Sequence, residues 1–224
     1  LDLYYVSFTD RTNEKTMAKQ KHTIPVRPGA KLELTVDSQG SSGDGICKYE
    51  GYTIFTPGGI PGDKVFAEVI KTTPRFGVTR LIKRLSSSPD RVKAPCPVFE
   101  QCGGCKLQDL KYDKQMEFKV GVVKDALKHI GKVKIPSIKS IPAEKTYHYR
   151  NKGSFAIQKQ GGFLRIGFFK QGSHDVVSTE KCEILHEQIN DAKEFIRELL
   201  IKHQVSIYDE KKHLGLVREL VIRH

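Results

Sequence analysis

The chain has 224 residues, with 38 Lys plus Arg against 26 Asp plus Glu, a formal charge of +12, 38% hydrophobic residues and 29% charged ones. That length allows one or two domains, and the composition is that of a chain that folds, which excludes a disordered protein. No apolar run approaches the ~18 residues of a membrane-spanning helix and no charged-then-apolar leader opens the chain, so a cytosolic protein with no membrane partner is expected.

Residues 1–22 carry no sustained periodicity and are assigned to a tail without function. From Lys31 the chain alternates strictly, with Leu32, Leu34 and Val36 on one face and Glu33, Thr35 and Asp37 on the other, the pattern of a half-buried strand. A turn-rich loop (38–45) follows, then a strand at Tyr52–Thr56, a Pro/Gly turn (57–63), an alternating strand through Val65, Ala67 and Val69, and a last strand at Phe76–Leu85. Several short strands separated by Gly and Pro turns predict a small OB-like β-barrel over 23–86. Barrels of this kind bind single-stranded nucleic acid with basic groups and stacking aromatics, which makes Arg75, Arg80, Lys83 and Arg84, with Tyr52, Phe66 and Phe76, candidate contacts.

A cysteine-rich loop occupies 87–112. Beyond it, Met116, Val120, Val123, Leu127 and Ile130 recur at helical spacing with Gly131 placed to end the helix. Strands are predicted at Tyr147–Ile157 and Phe163–Phe169 around a Gly161-Gly162 hairpin turn, a second helix through Leu185, Ile189, Ala192, Ile196 and Leu199, and a final strand at Leu216–Ile222. The whole is read as an α+β chain: a barrel, then a domain over 113–224 with a mixed or antiparallel sheet and two helices.

The positive charge is unevenly placed. Residues 1–95, 96–182 and 183–224 carry +5, +8 and −1. Two stretches are nearly free of acids: Lys71–Lys93, with seven basic residues against Asp90 alone, and Lys145–Lys170, with six against none. A merely solvated surface mixes the two signs, so these stretches predict a polyanion partner, most plausibly nucleic acid. Arg150, Lys152, Arg165 and Lys170 join the barrel residues as candidate contacts.

Of the five cysteines, Cys96, Cys102 and Cys105 lie on one tight loop, where Gly103-Gly104 lets the backbone curl so that sulfurs converge. Three thiolates leave a tetrahedral site one ligand short, and Cys182 is the obvious fourth. Disulfides do not suit a cytosolic basic chain with an odd cysteine count. Four thiolates suit zinc or an iron–sulfur cluster alike; a single distant ligand is the more cluster-like spacing, and zinc stays open on the residues alone. Cys47, beside a barrel strand, is read as a small buried hydrophobe.

The run Cys96-Pro97-Val98-Phe99-Glu100-Gln101-Cys102-Gly103-Gly104-Cys105-Lys106-Leu107-Gln108, with Cys182, resembles the cluster-binding segment of the RNA 5-methyluridine methyltransferases that act on large-subunit ribosomal RNA. The stretch from Gly45-Ile46-Cys47 to Pro61-Gly62-Asp63-Lys64-Val65 looks like their TRAM domain, and Tyr149-Arg150-Asn151-Lys152, Ile166-Gly167-Phe168-Phe169-Lys170 and His213-Leu214-Gly215-Leu216-Val217-Arg218-Glu219-Leu220 resemble their central RNA-recognition domain. The resemblance spans roughly 23–224. It implies a [4Fe-4S] cluster on Cys96, Cys102, Cys105 and Cys182, 23S ribosomal RNA as the partner, and a monomer. It further implies that the S-adenosylmethionine site, the nucleophilic cysteine and its carboxylate base lie beyond His224, so that no catalytic residue is expected within 1–224 and the chain is read as an RNA-recognition fragment. Three rivals fit the residues: a non-catalytic RNA-binding adaptor with a metal-stapled domain, a transfer-RNA-directed member of the same family, and a zinc-ribbon-like DNA binder.

Overall fold

The computed structural model describes residues 24–135 and 137–224; the tail assigned to 1–22 lies outside the described residues. The first six strands are β1 (Lys31–Thr35), β2 (Ser38–Gln39), β3 (Gly45–Tyr49), β4 (Tyr52–Thr56), β5 (Lys64–Thr72) and β6 (Phe76–Ser86). They form one sheet in the order β1-β5-β6-β4-β3-β2, antiparallel throughout except for the parallel β4–β6 pair. Alternation does what it predicts on β5, where Val65, Ala67 and Val69 are fully buried against Leu34, Val36, Cys47 and Ile54. Register shifts at three places along β5–β6 bend the long pair, as β-bulges do, and curl the sheet around that core.

The curl stops short of a closed barrel. Among the described residues no strand pair joins the outer edges of β1 and β2. Locally, Asp37 N–H donates to the Ile46 carbonyl (2.8 Å) and ties the end of β1 to β3, while Val36 N–H to the Asp63 carbonyl (2.9 Å) prolongs the β1–β5 pairing by one step. The expected barrel is therefore an open, curled sheet: β2 is two residues long, too short to carry a ladder across the gap.

The second sheet is antiparallel, in the order β10 (Glu219–Arg223), β7 (Lys152–Gln160), β8 (Phe163–Phe169), β9 (Val176–Ser178). The β7–β8 hairpin turns on Gly161 and Gly162, both at positive φ. One face carries Phe155, Ile157 and Ile166, which pack against Leu185 and against Ile189 of helix α2 (Glu187–Lys202). Strand β9 lies against Gly167, where an added Cβ would fall 2.0 Å from the Val177 carbonyl oxygen. Replacing Gly167 by alanine is accordingly expected to cost about 1–3 kcal/mol through overpacking. It should be read as a lower urea midpoint at unchanged m-value; an unmoved midpoint would show that β9 simply shifts away.

Helix α1 (Tyr112–Asp125) continues through a π-helical turn at Ala126–Ile130 and ends at Gly131 as the sequence indicates. Its apolar stripe is a different matter. No residue of α1 is buried; Met116, Val120 and Leu127 are half-covered, while Val123 and Ile130 are exposed. The period-3.6 pattern fixes which residues share a face, and among the described residues that face is only partly covered.

Candidate nucleic-acid interface and cysteine site

The cysteine loop is shaped by its own backbone. Cys102 N–H donates to the Val98 carbonyl (2.8 Å), Phe99 N–H to that of Cys96 (3.2 Å), and Gly103 N–H to that of Phe169 (2.9 Å) at the end of β8, so that Cys102 bridges to Lys170. The sulfurs receive N–H donors: Gly104 N–H to Cys102 Sγ (3.4 Å) and Gln108 Nε2 to Cys105 Sγ (3.2 Å). Cys182 is delivered by the turn before α2. Its N–H donates to Asn190 Oδ1 (2.9 Å), Asn190 Nδ2 donates to its carbonyl (3.2 Å), and the buried Lys193 ammonium donates to the carbonyls of Thr179 and Glu180 just upstream. Two polar residues of α2 thus hold the segment that presents the distant cysteine. Nothing in the hydrophobic pattern marks them, since Asn190 and Lys193 read as surface positions.

None of the five cysteines is in a disulfide. Cys182 belongs to the buried cluster of the second sheet and Cys105 packs against that cluster. Burial pushes the thiols of Cys96, Cys102 and Cys105 above the ordinary value. Hydrogen bonds from Val98, Gly104 and Gln108 respectively work the other way, and negative charge on Cys182 raises all three again. Four thiols, three of them with an N–H···S contact, are the kind of donor set that soft metal ions and iron–sulfur clusters take. Among the described residues, however, no group of three or more His, Cys, Asp or Glu is gathered tightly enough to hold a metal ion. A single tetrahedral ion with bonds of about 2.3 Å would draw the sulfurs to within roughly 4 Å of one another. Cys47 stands apart in the first core, fully buried, its Sγ 3.6 Å from Thr56 Oγ1, and burial pushes its thiol up.

A charged knot ties the curled sheet to the cysteine loop. Asp63 is fully buried. Its carboxylate accepts from Ile60 N–H (3.0 Å), Ser88 N–H (2.8 Å) and Arg91 Nε (3.2 Å), and Arg91 also pairs with Asp109 and donates to the Gly58 carbonyl (2.9 Å). Burial alone would raise the Asp63 carboxyl, but the donors from Arg91, Ser88 and Ile60 outweigh it and hold it below the usual carboxylate value. Arg84 approaches the same carboxylate at 3.7 Å.

The candidate contacts fall in different settings. Arg75, Lys83, Arg150, Lys152 and Lys170 are exposed. Arg80 is exposed and paired with Glu68 at 2.7 Å; Arg84 leans on the buried Asp63; Arg165 is half-buried and donates to the Val176 carbonyl (3.3 Å). Tyr52 is a strut. Its hydroxyl donates to the Thr73 carbonyl (2.6 Å) and its ring packs against the first core, which leaves it poorly placed to stack a base. Lys83 and Arg84 line a groove with Cys102 and Cys105 from the cysteine loop. No helix of the described residues is long and apolar enough to cross a membrane.

Residues 25–82 match the TRAM domain. Beyond it, the chain is 38% identical over 213 residues to an RNA methyltransferase of Halalkalibacterium halodurans, covering 93% of this chain and 45% of that protein. It is 36% identical over 203 residues to an RNA methyltransferase of Clostridium tetani, covering 91% and 44%. Among solved structures it superposes on the Pyrococcus abyssi tRNA (uracil-54, C5)-methyltransferase in complex with S-adenosyl-L-homocysteine, with a TM-score of 0.65 and 27% identity over 86% of this chain and 42% of that one. The chain spans less than half the length of these relatives.

Proposed function

We propose that the chain is the RNA-recognition portion of an S-adenosylmethionine-dependent RNA uracil-C5 methyltransferase, which forms 5-methyluridine. The observation that carries this reading is the union, in one chain, of a TRAM domain and a cysteine-bearing sheet whose similarity to RNA methyltransferases runs along nine-tenths of the sequence. The solved relative's name supplies uracil C5, and its bound S-adenosyl-L-homocysteine is what S-adenosylmethionine becomes on giving up its methyl group.

Within that reading, the chain's task is to hold and open the RNA. Flipping a base out of folded RNA costs a few kcal/mol, which phosphate contacts from Arg75, Arg80, Lys83, Arg84, Arg150, Lys152, Arg165 and Lys170 help to offset. Methylation at C5 needs a thiolate that adds to C6. Cys47, buried and with its thiol pushed up, does not fill that role. Cys96, Cys102, Cys105 and Cys182 would hold a [4Fe-4S] cluster; with four protein thiolates and no open position, such a group serves as a staple between the 96–105 loop and the Cys182 segment.

For the substrate, the resemblance of the cysteine segment favours 23S ribosomal RNA, and the solved relative's name favours a second reading, transfer RNA. Incubating the whole protein with radiolabelled S-adenosylmethionine and each RNA, followed by nucleoside analysis, separates the two. 5-Methyluridine in 23S rRNA is the expected product; label in tRNA alone selects the second reading, and no transfer to either RNA removes the enzyme reading in favour of a non-catalytic RNA binder.

A further inference from the structure

Between the TRAM domain and the cysteine loop runs a groove of about 400 Å³. One wall is the Pro57–Ile60 turn and the Leu81–Arg84 stretch of β6; the other is Phe99, Lys106 and the sulfur-bearing positions 102 and 105. The volume lies at the lower end of the ~300–1,000 Å³ range of small-molecule sites, enough for one nucleotide and too small for a duplex.

The charges point the same way. Lys83, Arg84 and Lys106 face the groove with two carboxylates, Glu100 and Asp109, and Asp109 is already taken by Arg91. Lys83 has no hydrogen bond or ion pair among the described residues, and Arg84 Nε, buried, makes no hydrogen bond and only the 3.7 Å ion pair to Asp63. Lys106 has only a long contact of 3.5 Å to Asp44 Oδ1. Phe99, half-buried, lines the same groove. The molecule's larger cleft, about 830 Å³ on the outer face of the second sheet, contrasts with it: Asp175, Asp209, Glu210 and Glu219 there outnumber Lys159, Lys211 and Arg218, a poor lining for phosphate.

We propose that this groove takes one nucleotide of a single-stranded RNA, its phosphate between Lys83 and Lys106 and its base against Phe99, so that the cysteine loop is itself a wall of the RNA site. The proposal rests on the RNA-recognition reading. It gives the loop a second duty: whatever fixes 96–105 in place also sets the width of the groove. RNA binding and the state of the four thiols are thereby coupled.

The test is fluorescence anisotropy of the 224-residue chain with a fluorescein-labelled single-stranded oligouridine, titrated over a range of salt. Lys83→Gln and Lys106→Gln are each expected to weaken binding roughly threefold to tenfold and to lower the slope of log K against log salt by about 0.7, the single-strand value per phosphate. Lys159→Gln, in the acidic cleft, should bind as wild type. Asp44→Asn separates contact from scaffolding: it frees Lys106, so binding should hold or tighten. If Asp44→Asn weakens binding as much as Lys106→Gln, Lys106 is only a strut and the proposal fails. If Lys83→Gln and Lys106→Gln bind like wild type, the groove is empty while RNA recognition stands. No binding by the wild-type chain defeats the RNA-recognition reading itself.

Discussion

Replacing Arg91 by alanine is expected to destabilise the chain by about 3–5 kcal/mol, the usual effect of stripping one partner from a buried ion pair. Asp63 is fully buried, and Arg91 supplies two of its hydrogen bonds; the Ile60 and Ser88 amides remain but carry no charge. Asp109 loses its partner in the same step. Arg91→Lys keeps a charge but not the planar fork that reaches Asp63, Asp109 and the Gly58 carbonyl together, so it should fall between the two. Urea unfolding of Arg91→Ala, Asp63→Asn and the double variant checks this. The double variant should be less damaged than the sum of the singles, because an amide at 63 no longer needs the guanidinium. Strict additivity would mean that the pair is only a neighbourly contact.

The same knot sets a pH dependence. The folded-state carboxyl of Asp63 lies below its unfolded value, so its contribution is fully present above about pH 4 and is lost as pH falls through the depressed folded value. Asp109 runs the other way, since burial raises it despite Arg91, and it opposes folding where it is ionised. Acid unfolding of wild type should therefore become shallower in Asp63→Asn.

How much of this was legible in the residues depends on whether the information is local. Strands β4 and β8 match the predicted bounds to the residue, and β1, β5 and β6 nearly so. Strand β3 escapes because its two-residue turn is Glu50-Gly51, with Glu50 at φ 48°, rather than the Asn-Gly or Asp-Gly pair that signals a hairpin. Strand β9, three residues paired only to β8, has too few positions to show a period. The pairing of the 96–105 loop with Cys182 is an expectation the residues offer, because thiol chemistry leaves few other uses for these cysteines; among the described residues the four sulfurs are not gathered into a tight metal-holding group. The knot is not legible. Arg91 counts in the sequence as one more cation in a basic stretch, and only the fold shows that it faces inward to Asp63 and leaves Lys83 facing out. Basic composition thus overstates the nucleic-acid surface: Arg80, Arg91 and Arg165 spend some or all of their donors on the protein itself, and Arg84 is ion-paired to the buried Asp63.

Replacing Cys182 by serine is the change that most directly tests the cysteine site. On the proposed cluster, chain purified without oxygen carries iron and sulfide and absorbs broadly in the visible. Cys182→Ser removes the one ligand outside the loop, and iron should fall to background. Because metal binding adds to folding free energy, the same variant should melt lower and exchange backbone amides faster through 96–108. Asn190→Ala, which unties the Cys182 backbone without touching a sulfur, should lower iron retention partially. Cys47→Ser is the counter-test: its sulfur lies in the core of the first sheet beside Thr56, so iron should be unchanged whatever happens to stability. Wild-type chain that is colourless and holds one zinc would replace the cluster with a single ion on the same residues. Cys182→Ser with undiminished iron would overturn the ligand set, and with it the link between the thiols and the width of the groove.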